Sequence, residues 1–284
     1  MNYAAWFSLK RNKPAQLGML VIGLLVIMAL AGPAVSGYSY AEQDLESTNL
    51  GPDRDHWFGT DSLGRDLFTR VCYGARISLA VGVFVCIISG FIGIIYGGCA
   101  GYAGGRIDDA MMRFVDIFSS VPFILYVILL MVVIEPGMIT VFVVLGITGW
   151  MNMARIVRAQ VLSLKEREFV LAARSIGAGA GRVLFRHIIP NIVGPVMVTM
   201  IFVIPEAIFA EAFLSFLGLG VSIPQASLGT LVSEGIGTMG LYPWQLFFPA
   251  FFISLSIMAF YFWGNGLRDA LDPRVQSGMI LDVR

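Results

Sequence analysis

Residues 163–191, SLKEREFVLAARSIGAGAGRVLFRHIIPN, form a polar and basic segment between two long apolar runs. Ser163 and Glu166 have the spacing of a capping box, in which each side chain accepts a hydrogen bond from the other residue's backbone. Four apolar side chains then recur at helical spacing and predict one face of a helix: Phe169, Ala172, Ala173 and Ile176. Gly177 follows them, where a left-handed cap is expected. The segment therefore predicts a helix over about 163–177.

Two interpretations of this helix are open. A basic amphipathic helix between membrane spans can lie on lipid headgroups, with Arg and Lys pairing to phosphates. The alternative is a docking helix for a soluble partner, which Ala172 and Ala173 favour because small side chains let another protein surface approach closely. After the glycine turn, a second short helix is expected from about Arg182 to Ile189, and Pro190 either ends this polar excursion or opens the next helix.

The amino-acid composition predicts a membrane protein. Hydrophobic residues make up 57% and charged residues 13% of the 284 residues, and the mean hydropathy is +0.79. The charged share is about half that of a soluble domain. The formal net charge is zero, which suggests no nucleic-acid partner. Three cysteines, an odd number, predict neither a disulfide framework nor a metal cluster.

Six apolar runs are long enough to cross a bilayer, which needs about 20 residues. A signal peptide is the competing interpretation of the first run, but that run exceeds the 7–15 apolar residues typical of a signal core. Pro122 predicts a kink in the third run. A four-residue glycine repeat from Gly93 to Gly105 predicts close helix packing in the second. The predicted spans are 17–35, 77–101, 111–134, 138–155, 193–217 and 245–266.

The distribution of basic residues predicts the orientation. With six spans, 15 of the 19 Lys and Arg residues fall on the side that holds the N-terminus. The other side has Arg54, Arg65, Arg70 and Arg76. Basic residues are enriched in cytoplasmic segments. Both termini and the 163–177 helix are therefore predicted to be cytoplasmic.

Two acidic residues lie within the fifth predicted span, Glu206 and Glu211. An ionisable group at membrane depth suggests a functional role, for example on a transport pathway. A proton-coupled secondary carrier would use such a carboxylate as its relay. The alternative is that both carboxylates face a water-filled pathway or hydrogen-bond a neighbouring helix. The sequence contains no G-x-x-x-x-G-K-[ST] phosphate loop, so any ATP-driven transport requires an ATPase in another subunit.

The polar segment 36–75 contains His56 close to Asp53, Asp55 and Asp61. Their spacing matches no metal site, and a solvated loop on the membrane surface is the favoured interpretation. Asp61 or Ser62 is expected to cap a short helix that begins near Leu63.

Several strings resemble ABC-importer permeases. VLAARSIGAGAGRVLFRHIIPN is similar to the EAA motif of that family, E-A-A-x-x-x-G followed after nine residues by I-x-L-P. Ala172, Ala173, Gly177 and Pro190 match, whereas Leu171 stands where the first Glu is usual. The C-type permeases of dipeptide and oligopeptide importers, a branch that includes nickel importers, have similar strings to those at 56–82, 115–122, 211–220 and 266–274. The resemblance covers nearly the whole chain.

The resemblance implies an all-α membrane protein of the type I importer fold with six transmembrane helices. It implies a heterodimer with a homologous permease, two cytoplasmic ATPases that bind ATP and Mg²⁺, an extracytoplasmic binding protein and a lipid environment, in a bacterial or archaeal plasma membrane. The chain itself would be no enzyme and hold no cofactor or metal. The coupling helix would contact an ATPase through Glu168, Phe169, Ala172, Ala173, Arg174 and Gly177. Nickel or another small solute is the alternative cargo.

Three segments are expected. Residues 1–75 would form a cytoplasmic N-terminal segment, the first span and an extracytoplasmic loop. Residues 76–267 would form a five-helix permease core with the coupling helix, and 268–284 a cytoplasmic tail.

Overall fold

The computed structural model describes residues 12–134, 137–221 and 225–271, where the regular structure is helical apart from one isolated bridge between Thr60 and Asp66. Five of the described helices are long and apolar enough to span a membrane, and there are six if one bent pair counts as a single broken span. The all-α class is confirmed. The helices are α1 Lys13–Ser36, α2 Leu67–Ala103, α3 Gly105–Ser120, α4 Phe123–Val133, α5 Met138–Leu164, α6 Glu168–Ser175, α7 Ala180–Phe216, α8 Leu228–Thr238 and α9 Trp244–Leu271.

Helix α2 begins ten residues before the predicted span, so the expected segment boundary at residue 75 falls inside it. Asp66 is its N-cap, and its carboxylate accepts the backbone N–H of Thr69 at 2.8 Å. The predicted helix start near Leu63 is wrong. Asp61 instead holds the loop, because its carboxylate accepts hydrogen bonds from the backbone N–H of Leu63 (2.8 Å) and Arg65 (3.0 Å).

Helices α2 and α5 pack backbone to backbone along the predicted glycine face. A Cβ at Gly97 would collide with the carbonyl oxygen of Ala154, and one at Gly101 would lie 2.9 Å from the carbonyl oxygen of Arg158. A Cβ at Gly93 would collide with the side chain of Met153 and lie 3.1 Å from the backbone nitrogen of Ala154. Gly105, the fourth member of the repeat, lies in α3, where an added Cβ would meet no described atom within 4 Å. Because these glycines have no side chain, the two helix backbones can approach each other closely.

The third predicted span is broken rather than continuous. Helices α3 and α4 meet at an angle of 83°. Pro122 disfavours a helical conformation at Val121, whose ψ of 126° is extended. The predicted kink is therefore in the right place, but the chain leaves the helical conformation there. Helix α4 has 11 residues, about 16 Å of helix, which is too short to cross a bilayer by itself.

An ion pair fastens α3 to α5. Asp108 is 4% exposed, and its two carboxylate oxygens accept from Arg158 Nε at 2.5 Å and Nη2 at 2.7 Å. The predicted end of the fourth span at residue 155 is wrong, because α5 continues to Leu164. The charges at residues 155 and 158 mark where the apolar part ends, whereas the backbone remains helical.

The second short helix predicted at 182–189 is part of α7. Residues Val183–Ile188 form a π-helical segment that runs directly into the long apolar part. Pro190 lacks the N–H that an α-helix would use at this turn, and in an α-helix its ring would clash with the carbonyl of Arg186, four residues earlier. A wider turn relieves that clash without ending the helix.

The predicted polar loop 218–244 contains α8. Ser227 and Thr230 form a capping box, with the Ser227 N–H 2.9 Å from Thr230 Oγ1 and the Thr230 N–H 3.2 Å from Ser227 Oγ. Helix α8 packs against α7 and α9 at the end opposite α6. The charge distribution predicts that α8 lies on the extracytoplasmic side and α6 on the cytoplasmic side.

Candidate functional site

The predicted capping box before α6 is wrong. Helix α5 extends past Ser163, whose hydroxyl donates to the carbonyl of Gln160 at 2.8 Å. A turn at residues 165–167 follows, and α6 begins at Glu168, with no side chain capping it at Arg167. The predicted helix over 163–177 is thus divided between the end of α5 and the eight residues of α6.

The C-terminus of α6 is closed by Gly177, as expected. Its φ of +84° is left-handed. The Gly177 N–H donates to Arg174 O at 2.9 Å, and the Ala178 N–H donates to Ala173 O at 3.1 Å. This pair of bonds is a Schellman motif, which satisfies carbonyls that the end of a helix leaves free.

The predicted apolar face of α6 is split between two environments. Val170 and Ala173 are buried, at 0% and 5% exposure, in a cluster with side chains of α5 and α7. Phe169 is 41% and Ile176 is 87% exposed, and Ala172 is exposed as well. Ala173, expected to contact a partner, therefore anchors α6 to its own chain. Its neighbour Ala172 faces outward.

Contacts to the end of α2 brace α6 and the turn before it. The Arg174 guanidinium lies over the Tyr102 ring, 5.2 Å from its centroid. Such a cation–π contact contributes about 0.5–1 kcal/mol at an exposed site. The Lys165 ammonium donates to Gly101 O at 3.4 Å. Together with the buried cluster, these contacts join α6 to α2, α5 and α7.

Glu211, one of the two predicted pathway candidates, is buried inside the helix bundle. Its side chain is 0% exposed. Ser78 Oγ of α2 donates to one carboxylate oxygen and Ser215 Oγ of α7 to the other, both at 2.7 Å. Ser227, the N-cap of α8, donates to Ser215 at 3.1 Å. The carboxylate therefore ties three helices together and reaches no open space.

Glu206, the second candidate, lines a cavity of about 270 Å³ between α2, α4, α5 and α7. It makes no hydrogen bond or ion pair with the residues that the structure describes. Three polar residues that were not predicted as site residues line this cavity with Glu206: Thr148 and Asn152 on α5 and Thr199 on α7. The sequence does carry a signal for Asn152, since an amide inside a predicted span is unusual.

On the extracytoplasmic side, Arg70 is the centre of an ion-pair network. Its side chain is 1% exposed, and its guanidinium pairs with Asp61 at 2.5 Å and Glu234 at 2.6 Å. Arg65 adds a 2.7 Å contact to Asp61. The network links the loop before α2 to α8. The charge pattern alone does not predict this role of Arg70, because its partners Asp61 and Glu234 are distant from each other in the sequence.

The described residues hold no group of three or more side chains arranged to bind a metal ion. His56 does not approach Asp61, and its Nδ1 lies 3.0 Å from Asp66 Oδ1 instead. Cys72 and Cys86 are buried free thiols and Cys99 is an exposed one. His56 thus supports the cap residue of α2.

A bundle of five or six candidate spans, with a cavity between four of its helices and a short helix packed at one end, defines a multi-pass membrane protein. The chain belongs to the family described as binding-protein-dependent transport system inner membrane component, whose model matches residues 89–277. A model described as the N-terminal transmembrane domain of oligopeptide transport permease C matches residues 3–52.

Curated relatives cover nearly the whole chain. The dipeptide transport system permease protein DppC of Bacillus subtilis is 52% identical over 273 residues, 96% of this chain and 85% of the relative. The oligopeptide transport system permease protein OppC of the same organism is 50% identical over 96% of this chain and 90% of its own length. OppC of Escherichia coli K12 is 43% identical over 93% of this chain and 88% of the relative.

Family membership establishes several of the expectations. The chain is an inner-membrane permease subunit of an ABC importer that works with a binding protein. ATP is bound and hydrolysed by separate ATPase components, so this subunit is not an enzyme. The family match therefore excludes the alternative that the chain is a proton-coupled secondary carrier.

Proposed function

We propose that this chain forms one half of the translocation pathway of an ATP-driven importer of di- or oligopeptides. The identity of 50% or more to dipeptide and oligopeptide permeases over 96% of the chain carries the proposal. It favours peptides over nickel or another small solute. The other half would be a homologous permease in a heterodimer, with two ATPases on the cytoplasmic side, an extracytoplasmic binding protein and the surrounding lipid.

Helix α6 would be the contact with one ATPase. Its outward residues offer a mixed surface in which Glu168 and Arg174 supply charge, while Phe169 and Ala172 supply apolar area. Ala173 is buried beneath this surface and packs α6 against its own chain. Gly177 ends the helix by adopting a left-handed conformation that is unfavourable for residues with a Cβ. This division of roles refines the expectation that all six residues touch the partner.

The packing of α6 suggests how force reaches the pathway. A displacement of α6 must move the inner ends of α5 and α7, because Val170 and Ala173 share one buried cluster with them. Well-packed interiors transmit such shifts rather than absorb them. Both helices also line the Glu206 cavity. The ATPases must bind the inward-facing and outward-facing states with different affinity, since otherwise ATP binding would shift nothing.

Substitutions at the adjacent residues Ala172 and Ala173 test whether α6 contacts the ATPase. Ala172→Glu should leave the thermal midpoint of the purified permease unchanged and reduce ATPase capture in detergent extracts at least tenfold, because the new charge occupies the contact surface. Ala173→Glu should lower the thermal midpoint as well, because it buries an unpaired charge. Ala180→Glu, at an exposed alanine beyond α6, is the matched control.

Normal ATPase capture and normal peptide uptake by the Ala172→Glu variant would show that α6 lies on lipid and does not bind the ATPase. The orientation is tested separately in a cysteine-free background. Single cysteines at Ser163 and Gln225 should react with an impermeant thiol reagent from opposite sides of the membrane. Labelling of both from outside would exclude the six-span topology.

A further inference from the structure

The cavity at Glu206 lies between the two ends of the helices that line it. Glu206 is ten residues from the extracytoplasmic end of α7, and Asn152 is fourteen from that end of α5. At 1.5 Å per residue these positions are about 15 and 21 Å below the helix ends. Thr148 and Asn152 are one helical turn apart on the same face of α5, which faces Glu206 across the cavity.

The hydrogen-bonding capacity of this cavity is only partly used. The Thr148 hydroxyl donates to Val144 O at 2.9 Å, and the Thr199 hydroxyl donates to Pro195 O at 3.1 Å. Neither the Asn152 amide nor the Glu206 carboxylate has a partner among the described residues. The unused groups are therefore one anion and one amide that can both donate and accept.

Most of the other described residues that line the cavity are apolar, and Glu206 is the one formally charged residue among them. A carboxylate at membrane depth is unfavourable unless water or an opposite charge compensates it. Glu211, five residues further along the same helix, is compensated by serine hydroxyls. Glu206 is exposed and has no such compensation among the described residues of its chain, so its carboxylate is accessible to water and to a cationic group of another molecule.

We propose that the Glu206 carboxylate binds a primary ammonium group of the passing peptide while the Asn152 amide hydrogen-bonds the peptide backbone. This inference rests on the proposed peptide function. Every unmodified peptide carries an N-terminal ammonium group and amide groups next to it, so the pair recognises what peptides share rather than what distinguishes them. The apolar lining accommodates side chains without selecting among them.

The ammonium group has two sources, the peptide N-terminus and a lysine side chain. The test uses the complete membrane complex, this chain with its partner permease and both ATPases, in nanodiscs without the binding protein. Equilibrium dialysis measures the affinity for three peptides: Ala-Ala-Ala, N-acetyl-Ala-Ala-Ala and N-acetyl-Ala-Lys-Ala. Wild type should bind the free tripeptide about tenfold more tightly than its acetylated form, as expected for the loss of one charge pair.

Glu206→Gln should remove this difference by lowering the affinity for the free tripeptide to that for the acetylated one. Asn152→Ala should weaken binding of both by a similar factor, because it acts on the backbone. Glu46→Gln, an exposed carboxylate in the extracytoplasmic loop, is the matched control and should behave as wild type. If N-acetyl-Ala-Lys-Ala binds as tightly as the free tripeptide, the site accepts either ammonium group; otherwise it reads the N-terminus.

Three results would overturn the inference. One is a Glu206→Gln variant that keeps the wild-type preference for the free amine. Another is equal or absent binding of the free and acetylated forms by wild type. The third is loss of the partner permease from the purified Glu206→Gln complex, which would mean that the carboxylate pairs with a cation of that subunit. Failure of the proposed function itself is read separately, as absence of ATP-driven Ala-Ala-Ala uptake by the wild-type importer with its binding protein.

Discussion

In the extracytoplasmic part of the bundle, polar groups are buried against partners in their own chain. In the Glu206 cavity and on the outward face of α6, polar groups are exposed instead. Arg70 and Glu211 are almost fully buried and are compensated by side chains of their own chain. Glu206 and the outward residues of α6 are left open. A buried group with internal partners stabilises the fold, whereas an open group at a defined position is available to another molecule. Residue type alone does not distinguish them, since both sets contain glutamates.

The largest effect on stability is expected from Arg70→Ala. It removes one of the two arginines that pair with Asp61 and Glu234 and leaves only Arg65, so we expect a loss of about 3 kcal/mol, the lower end of the range for breaking a buried ion pair. The thermal midpoint of the purified permease should fall sharply, and α8 should lose its link to the loop before α2. Arg54→Ala, at an exposed arginine of the same loop, is the control and should change the midpoint little. Equal midpoints for the two variants would contradict the structural role of Arg70.

Glu211→Ala should be next in size. It leaves Ser78 and Ser215 without their shared acceptor and opens a small cavity, for which about 2–4 kcal/mol is expected. Glu211→Gln keeps one acceptor oxygen and nearly the same volume, so it should lose less than half of that amount. Chemical denaturation in detergent, with protein levels in membranes, measures both. A stable Glu211→Ala variant that fails only in transport would place Glu211 on the pathway instead.

Gly177→Val should have an intermediate effect, confined to the open part of the molecule. Left-handed backbone conformation costs a residue with a Cβ about 1–2 kcal/mol, and a β-branched one more. No neighbouring atom lies within 4 Å of the added Cβ, so backbone conformation alone is at issue. The last turn of α6 should fray, which would lower ATPase capture. Gly177→Asn should retain most of it, because asparagine tolerates this conformation; similar loss with both residues would refute the explanation.

The smallest effect on stability should come from Glu206→Gln. The carboxylate has no partner within the described chain to lose, and a surface-like substitution of this kind changes stability by less than about 0.5 kcal/mol. Unfolding in denaturant should match wild type while peptide binding changes. A loss comparable to that of Glu211→Ala would remove the distinction between the two carboxylates.

Much of the fold could be predicted from local sequence. Long apolar runs located the spans, the glycine repeat located the close packing of α2 with α5, and Pro122 located the break between α3 and α4. The ends of the helices were less predictable. Helix α5 runs past Arg158 because Asp108 of another helix compensates that charge, and α7 continues through Pro190 by widening one turn. Both outcomes depend on contacts or backbone adjustments outside the local pattern.

The sequence by itself determined that this chain crosses a membrane as helices, that its basic residues lie mostly on one side, and that a short helix ends at Gly177. These properties follow from apolar length, charge distribution and the conformational freedom of glycine, each of which is local. The tertiary structure decided which of two adjacent alanines faces outward and which of two glutamates is compensated. Ala172 and Ala173, like Glu206 and Glu211, differ only in direction around a helix. The residues that pack from distant parts of the chain therefore decide which of each pair is free to meet a partner.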